Sequence, residues 1–458
     1  MVKAVLAFAA LTGLAPLTSA SSASDYWRRQ PQRRDVSPTA TFAPVPSTSP
    51  TVSPIVPNPS PNYVDSFVKP CGEAFSLNGQ PFYFAGANAY WLMNQTNDWV
   101  DAAFGNLSAQ GIGVVRTWFF NNGYYNTVNG TEQAFNDSPE GIGHLDYVVK
   151  RARDYGIRLI ATLANNWPDF GGTHYYLQQT GYQYHDDFFT QPELIQLYKE
   201  YISHILNRNN TFTGILFKDD PTFFAWELMN EPRCLSYTDI KSQNCTTATM
   251  TNWIDDMSTY IKSLAPNTMV TVGDEGWFNE PSLVDNWLYD GFNGIDFETN
   301  LQLENIDFGT FHTYPDHGWG AGTTGYDLSF EWGEQWIRQH RTVGAKVGKP
   351  VVNEEYGFAQ RTDRMSYEQY YYAVTEDIGI AGDLFWSFWI APPDGSPIAE
   401  GNSANSTYTP GLNYYTNDTD WPIIRQHVYN MAQQNLPKGQ ADFSCFGANN
   451  MFCSETAA

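Results

Sequence analysis

Apolar runs of strand length alternate with amphipathic stretches along most of the chain. Eight runs are nearly continuous in apolar residues, as strands buried on both faces are. They lie at 82–92, 114–120, 158–165, 222–232, 269–276, 307–315, 350–357 and 382–389. Helical periodicity between them marks stretches at 99–111, 143–156, 192–209, 250–266 and 329–348. This alternation predicts an α/β protein with parallel strands.

The number of alternations and the residues at the ends of the runs favour one arrangement of the sheet. Eight units predict a (β/α)8 TIM barrel, a single catalytic domain with long loops, and an open doubly wound sheet is the alternative. Polar residues follow the carboxyl end of nearly every apolar run. The barrel is favoured because enzymes of this fold build their active sites at that end of the strands.

The two ends of the chain depart from this pattern. Residues 1–20 combine Lys3, an apolar stretch and a small-residue cleavage site, which predicts a signal peptide and therefore a secreted, extracellular protein. Residues 21–62 hold two dibasic pairs, which fit either processing sites or a solvated charge run, and a linker of Pro, Ser and Thr that cannot bury a core. We therefore place the folded domain at 63–437 and a C-terminal tail at 438–458.

Composition narrows the class of partner. The formal net charge of −24 argues against nucleic acid, whose phosphates need Lys and Arg. After the signal peptide, no segment is long and apolar enough to span a bilayer. The chain has 15 Trp, 28 Tyr and 29 Phe, more than core packing alone explains and suited to stacking on flat apolar faces of a ligand. We expect a neutral polymer as substrate, no membrane association and a monomer.

Five cysteines in an oxidising compartment predict disulfides rather than metal ligands. Cys234 and Cys245 close a short loop and are the best candidates for a pair. Cys445 and Cys453 would pair with each other, or either would pair with Cys71, and one cysteine remains outside these pairs. We expect neither a metal nor a cofactor. Asn-X-Ser/Thr sequons agree with secretion and stand at Asn94, Asn106, Asn129, Asn136, Asn209, Asn244, Asn405 and Asn417.

The residues at the ends of the eight runs would converge on the mouth of the barrel. They are Asn88, Trp91, Arg116, Trp118, Asn165, Asn166, Trp167, Asn230, Glu231, Asp274, Glu275, His312, Tyr314, Glu354, Glu355, Trp386 and Trp389. Carboxyls on the fourth and seventh strands would face each other across a cleft. Glycoside hydrolysis needs such a pair, one to protonate the leaving oxygen and one to attack or to activate water. A single strand-end Glu is more often salt-bridged or solvated, but NEP, HTYP, EEYG and a Trp-rich last run together are more specific.

The motifs ANAYWL, VVRTWFF, NNWPDFGG, WELMNEPRC, DFGTFHTYPDH and EEYGF resemble those of glycoside hydrolase family 5, and in their wording its fungal and plant endo-β-1,4-mannanases. The resemblance runs from about residue 70 to 435. It implies a retaining double displacement on mannan, with Glu231 as general acid/base and Glu355 as nucleophile. Glu354 would face the other way along the strand in a structural role, although the sequence alone does not choose between the two adjacent carboxyls.

The same resemblance implies roles for the surrounding side chains. Asn230 would bond the 2-hydroxyl of the sugar, and Trp386 would form the floor of the −1 subsite. Arg233 would shape the aglycone side. The remaining residues are expected to orient the nucleophile or to contact substrate in the same mouth: Arg116, His312, Tyr314, Trp91, Trp118, Asn166 and Trp167.

Other functions remain open on the same scaffold. An exo-acting β-mannosidase or a transglycosylase would result if the insertions at 121–141, 277–300 and 391–420 closed one end of the cleft, and a β-glucanase would use the same chemistry. A non-catalytic carbohydrate-binding protein would use the aromatic mouth without turnover, but such a protein has no need for both Glu231 and Glu355.

Overall fold

The computed structural model describes residues 65–280, 282, 287–315, 319, 330–358, 361–390 and 412–435. The predicted signal peptide, linker and C-terminal tail therefore lie outside the described residues. The strands are β1 (Lys69–Cys71), β2 (Ala74–Leu77), β3 (Gln80–Phe82), β4 (Phe84–Asn88), β5 (Val114–Trp118), β6 (Asn126–Asn129), β7 (Glu132–Phe135), β8 (Arg158–Thr162), β9 (Phe223–Glu227), β10 (Met269–Thr271), β11 (Gly309–Thr313), β12 (Val351–Tyr356) and β13 (Gly382–Phe385).

Each of the eight predicted apolar runs contributes one strand to a single parallel sheet. Its strand order is β10-β9-β8-β5-β4-β13-β12-β11, and every neighbouring pair is parallel. The two edges meet through the hydrogen bonds from Asp307 N to Val270 O (2.8 Å) and from Thr271 Oγ1 to Phe308 O (2.9 Å). The sheet is thus nearly closed, and the predicted (β/α)8 barrel is confirmed.

Helices surround this sheet and cover its outer face. They are α1 (Asn97–Ala109), α2 (Gly143–Asp154), α3 (Gly172–Thr180), α4 (Asp187–Thr190), α5 (Pro192–Leu206), α6 (Thr247–Leu264), α7 (Phe297–Leu301), α8 (Phe330–Val347), α9 (Arg361–Ile378) and α10 (Trp421–Gln433). The five predicted amphipathic stretches correspond to α1, α2, α5, α6 and α8. Local signals set their ends: Pro192 stands in the first turn of α5, and Thr246 and Thr249 form a capping box at α6.

The core has an inner and an outer layer. Every residue of the eight barrel strands is buried, because side chains point alternately into the barrel and toward the helices. Strands β1 to β3 form a small antiparallel sheet below the barrel. Phe75 of this sheet meets Phe224 and Phe308 edge to face, with ring centroids 5.0 and 5.3 Å apart. The small sheet therefore covers the N-terminal end of the barrel and leaves the carboxyl end for the site.

The predicted disulfide between Cys234 and Cys245 is present and closes the loop that follows β9. Cys71 is also disulfide-bonded, while Cys445 and Cys453 lie outside the described residues. In the described part of the chain, no helix combines the length and the apolar character that crossing a bilayer requires.

Candidate active site

Arg116, near the end of β5, lies at the centre of a buried polar network at the mouth of the barrel. Its Nε and Nη2 donate to the two carboxylate oxygens of Glu227, at 2.8 and 2.7 Å. Its Nη1 donates to Glu355 Oε1 at 2.5 Å and to Asn88 Oδ1 at 3.1 Å, and Nη2 also donates to Asn230 Oδ1 at 2.7 Å. Burial lowers the pKa of Arg116, but the surrounding carboxylates outweigh burial and raise it. One fixed cation therefore orients groups from three strands, β4, β9 and β12, and from the loop after β9.

Glu355 of β12 receives a second donor from the neighbouring strand. The Tyr314 hydroxyl donates to Glu355 Oε2 at 2.7 Å. The pairing of β11 with β12 contains a bulge, since Phe311 pairs with Asn353 but His312 pairs with Glu355. The extra residue, Glu354, is fully buried, and its Oε2 lies 3.6 Å from Arg116 Nε and 3.7 Å from His312 Nε2. The prediction that Glu354 faces away is therefore wrong: the bulge breaks the alternation, and both carboxyls approach the same network.

Glu231 is held by backbone bonds on both sides of the loop that follows β9. Its N–H donates to Gly273 O at 2.8 Å, and the N–H of Asn230 donates to Ala164 O at 2.9 Å. Glu231 has φ of 51°, in the left-handed region that non-glycine residues seldom adopt. Its side chain is 14% exposed, and Trp167 Nε1 donates to its Oε2 at 2.5 Å. The loop thus fixes the direction in which the Glu231 carboxyl points at the mouth.

Gly273, which follows β10, makes this arrangement possible. Its φ is +87°, and a Cβ there would lie 2.2 Å from Met229 O and 2.5 Å from Glu227 Oε1. No side chain fits in this space, because one of the contacts is backbone and the other is the carboxylate that holds Arg116. The close approach lets the strand end carry Glu227 and Glu231 into the same site.

His312 of β11 lies between the carboxyls. Its Nδ1 is 3.0 Å from Glu231 Oε1 and 3.5 Å from Glu355 Oε2. Its Nε2 is 3.7 Å from Glu354 Oε2. Burial lowers the pKa of His312, but the charges of the three carboxylates outweigh burial and raise it well above its ordinary value. The free site therefore favours the imidazolium form.

The surroundings of Glu231 and Glu355 shift the pKa values of these two carboxyls in opposite directions. Burial raises the pKa of Glu231, but the hydrogen bond of His312 and the charge of Arg233 outweigh burial and hold the pKa at about 2. Burial also raises the pKa of Glu355, and there it prevails over the charges of His312 and Arg116. His312 and Glu231 therefore favour the charged form of each other, and their titrations are linked.

Oxygen atoms of Glu231 and Glu355 and the His312 ring nitrogen lie within 4.8 Å of one another. Such a set would also suit a cation. The hydrogen bond between His312 and Glu231, together with the donors from Arg116 and Tyr314 to Glu355, already accounts for the spacing. We therefore assign these side chains to a proton-sharing network and no metal to them.

Aromatic rings line the side of the mouth formed by β13, β4 and β5. Trp386 stacks on Tyr90, with ring centroids 5.0 Å apart and planes 7° from parallel. Trp118 lies 5.8 Å from Trp386, and the guanidinium of Arg116 packs 4.8 Å from the Trp118 ring centre. Trp386 and Trp118 are nearly buried, so each ring exposes only a small part of its surface. Flat apolar surfaces beside a carboxyl suit the C–H faces of sugars.

The opposite side of the mouth, formed by β8, β9 and β10, holds a second cation. The guanidinium of Arg233 packs 4.6 Å from the ring centre of Trp167 and 4.2 Å from that of Trp277. It is ion-paired with Glu275 and lies 3.8 Å from Glu231. Burial raises the pKa of Glu275 to about 8, against the charge of Arg233. Arg233 is thus held on two aromatic faces beside Glu231.

The structure brings most of the predicted site residues together but leaves two of them outside the mouth. Trp91 is 1% exposed, and its indole donates to Phe388 O, so it packs beneath the mouth. Asn166 is fully buried, and its amide bonds His185, the Arg233 backbone and the Leu235 backbone. Neither side chain is open to the mouth in this structure, because position after a strand does not reveal which way a side chain turns, and their contact with substrate stays a prediction.

Three residues of the site were not predicted from the sequence. Glu227 anchors Arg116, Trp277 packs on Arg233, and Tyr90 stacks on Trp386. A charged residue inside the apolar run FFAWELM was a signal for Glu227, since a buried carboxylate requires a cation. Trp277 lies one residue beyond its predicted run and Tyr90 lies inside its run, and nothing in the sequence distinguishes either residue from core aromatics.

A barrel with two facing carboxyls at its carboxyl end, a cation on each side and aromatic walls defines a carbohydrate-active hydrolase site. Residues 65–381 match the family model described as glycoside hydrolase family 5, β-mannosidase-like. The chain belongs to this family, and the resemblance seen in its motifs is confirmed. It is a glycoside hydrolase.

Relatives of this chain include named mannanases. A probable mannan endo-1,4-β-mannosidase C from Aspergillus terreus is 34% identical over 402 residues, which cover 80% of this chain and 91% of the relative. The crystal structure of the endo-1,4-β-mannanase from Rhizomucor miehei has a TM-score of 0.72 and 39% identity, covering 80% of this chain and all of its own. The endo-β-1,4-mannanase from Thermotoga petrophila has a TM-score of 0.66 and 32% identity, covering 79% of each chain.

Proposed function

We propose that the protein is a secreted endo-β-1,4-mannanase that cleaves internal mannosidic bonds with retention of configuration. The observation that carries this proposal is the short separation of Glu231 and Glu355, which bring oxygen atoms within 4.8 Å of each other. Retaining enzymes hold their carboxyls about 5 to 5.5 Å apart, whereas inverting enzymes need about 6.5 to 9.5 Å to admit water. The separation supports a double displacement.

In the first step, Glu355 attacks C1 of the sugar in the −1 subsite while Glu231 protonates the leaving oxygen. The donors from Arg116 and Tyr314 hold the attacking carboxylate in place and stabilise its charge. Glu231 takes the proton from His312 as the aglycone displaces solvent from the mouth. The products of this step are a glycosyl-enzyme ester on Glu355 and a shortened chain with a free hydroxyl.

In the second step, water replaces the aglycone and attacks the same carbon. Glu231, now ionised, accepts a proton from the water, and the ester bond to Glu355 breaks. Asn230 is positioned by its bonds to Arg116 and Asn165, at 2.7 and 3.0 Å, to bond the 2-hydroxyl through both steps. The two inversions together give net retention.

Mannan is proposed as the substrate because the named relatives act on mannan and the site favours a neutral sugar. Both mouth cations are already neutralised, Arg116 by Glu227 and Glu355 and Arg233 by Glu275, so no free cation among the described site residues calls for an acidic sugar. Secretion is supported by the signal-like residues 1–20 and by the sequons.

The substrate is tested by comparing mannohexaose with cellohexaose. The two chains differ at C2, where a site that bonds one hydroxyl orientation leaves buried polar groups unpaired with the other. We expect kcat/KM on mannohexaose to be at least about a hundredfold higher. Comparable rates would contradict the mannanase assignment, and mannose as the sole early product would indicate an exo-acting enzyme.

The mechanism is tested by azide rescue with an aryl β-mannobioside whose leaving group needs no acid. Glu231→Ala should form the glycosyl-enzyme and then wait for a nucleophile, so added azide should restore turnover and yield the β-azide. Glu355→Ala is the matched control, because azide would replace the missing nucleophile and give the α-azide. An α-azide from Glu231→Ala would contradict retention.

A further inference from the structure

A column of flat side chains leads from Glu231 to the protein surface. Glu231 Oε1 faces His312 and the nucleophile side, while Oε2 accepts the Trp167 indole hydrogen bond. Trp167 packs on Arg233 and is stacked with Tyr237, whose ring centroid lies 5.2 Å away at 15° between planes. Arg233 is nearly buried, Trp167 is half-buried and Tyr237 is 56% exposed. Of these three side chains, only Tyr237 at the outer end of the column is largely exposed.

The loop that carries Tyr237 is firmly anchored. The Cys234–Cys245 disulfide closes it. The backbone N–H and the hydroxyl of Ser242 donate to the carboxylate of Asp186 at 2.5 and 2.6 Å. The hydroxyl of Tyr237 donates to Asp169 Oδ2 at 3.0 Å, which fixes the ring itself. Because the ring is already ordered, binding against it costs little conformational entropy.

The loop that carries Tyr237 holds a second exposed apolar side chain, and a third lies in a segment bonded to this loop. Ile240 is 72% exposed in the same loop, and Phe292 is 51% exposed in the adjoining segment. Lys241 joins the two segments, since its Nζ donates to Phe292 O at 2.7 Å and lies 3.8 Å from the centre of the Phe292 ring. Large exposed apolar side chains on one loop and the segment bonded to it are typical of a binding surface.

We propose that Tyr237, with Ile240 and Phe292 beyond it, is a distal aglycone subsite that binds the mannan chain past the sugars next to the cleaved bond. This inference rests on the proposed mannanase function. The acid protonates the leaving oxygen, so the departing chain lies on the Glu231 side and runs along Trp167 toward Tyr237. A neutral chain of pyranose rings presents apolar C–H faces to such a ring.

The test uses two substrates, so that an effect on the binding of a long chain is distinguished from an effect on bond cleavage. Mannohexaose can fill the distal subsite, whereas an aryl β-mannobioside places no sugar beyond the cleaved bond. Tyr237→Ala is expected to lower kcat/KM on mannohexaose about fivefold and to leave the aryl substrate unchanged. With mannohexaose labelled by 18O at its reducing end, cleavage should shift toward registers with fewer sugars on the aglycone side.

Two further variants serve as controls for Tyr237→Ala. Tyr237→Phe keeps the ring and removes only the hydroxyl, so it should retain most of the mannohexaose activity. Phe212→Ala removes an equally exposed ring, 56%, from the loop that precedes β9 at the other end of the barrel, where Phe212 packs against Tyr147. It should leave both substrates unchanged.

The outcomes distinguish this subsite from the proposed function. If the unaltered protein does not cleave mannohexaose, the proposed function fails and the subsite fails with it. If the unaltered protein cleaves mannohexaose and Tyr237→Ala cleaves it equally fast in the same registers, the subsite alone is overturned. An equal loss on both substrates would also overturn it, because Tyr237 would then only support the fold around Trp167.

Discussion

Glu227 holds Arg116 by two of its nitrogens and leaves Nη1 for Glu355. We predict that Glu227→Gln lowers kcat at least about tenfold, because the guanidinium loses its charged anchor. Removing this negative charge also leaves Arg116 less neutralised, which lowers the pKa of Glu355. The acidic limb of the pH profile of kcat/KM should therefore move to lower pH.

Thr162 provides a matched control for that prediction. Its hydroxyl donates to Glu227 Oε1 at 3.1 Å, so Thr162→Val removes a neighbouring hydrogen bond and keeps every charge. Thr162→Val should leave the acidic limb where it is. A Glu227→Gln enzyme with an unshifted limb would show that Glu227 supports only the fold.

His312 gives a prediction for the basic limb of the same profile. In the free site the pKa of His312 is raised, because three carboxylates surround its imidazole. In His312→Gln the proton must be held by Glu231 alone, and a carboxyl loses it at lower pH. The basic limb of kcat/KM on mannohexaose should therefore move down by at least about one pH unit. If the basic limb did not move, His312 would not be the group that sets it.

The network around Arg116 also shows which residues of the site were predictable from the sequence. NEP and EEYG mark Glu231 and Glu355, since a carboxyl directly after an apolar run is visible in the sequence. The contact of Arg116 with Glu227 joins residues 111 positions apart and becomes apparent only when β5 and β9 stand on either side of β8. The approach of Glu354 to His312 depends on a bulge, and a bulge is set by the pairing of two strands.

Among the elements, α10 is tied to the barrel by a buried histidine. His427 Nε2 lies 2.8 Å from Asp383 of β13, and Nδ1 lies 2.7 Å from Glu376 of α9. Burial lowers the pKa of His427, but these two carboxylates outweigh burial and raise it to about 9. A raised pKa in the folded state stabilises the fold below the ordinary histidine pKa, and this stabilisation is lost as the pH rises through 9.

We therefore predict that His427→Gln lowers the free energy of unfolding more at pH 6 than at pH 10. The difference between the two pH values should be about 3 kcal/mol, from the separation of the folded and unfolded pKa values. Urea unfolding at both pH values measures it. A loss of the same size at pH 6 and pH 10 would mean that packing against Tyr372, and not charge, holds the helix.

The eight barrel strands and five of the longer helices were predictable, whereas α9, α10 and the short strands were not. Each barrel strand is buried on both faces and lies in a run rich in apolar residues, so it is visible in the sequence, and the five predicted helices show a clear polar face. Strands β6 and β7, with the sequences NTVN and EQAF, are short and largely polar and form a separate two-stranded sheet. Strands β1 to β3 are similarly short, and their role depends on Phe75 meeting rings from distant strands.

At the scale of the whole molecule, the described site draws on residues from β4 to the segment after β13. Each contact described for Arg116, Glu231 and Glu355 is made with residues between 84 and 390. We therefore predict that a protein beginning at residue 63 has kcat/KM on mannohexaose within about twofold of one beginning at residue 21. A larger loss would show that residues 21–62 contribute to catalysis or to folding.

The left-handed backbone of Glu231 has a consequence for the choice of residue at that position. Alanine normally stabilises a fold more than glycine, but at φ of 51° the order should reverse, because a Cβ costs about 1 kcal/mol there and glycine escapes this cost. Both replacements lack the carboxyl, so comparing the urea unfolding of Glu231→Gly and Glu231→Ala isolates the backbone effect. A higher free energy of unfolding for the alanine variant would contradict this prediction. The acid/base role proposed for Glu231 thus requires a side chain at a position where folding alone favours glycine, so part of the stability of this loop is given up for turnover.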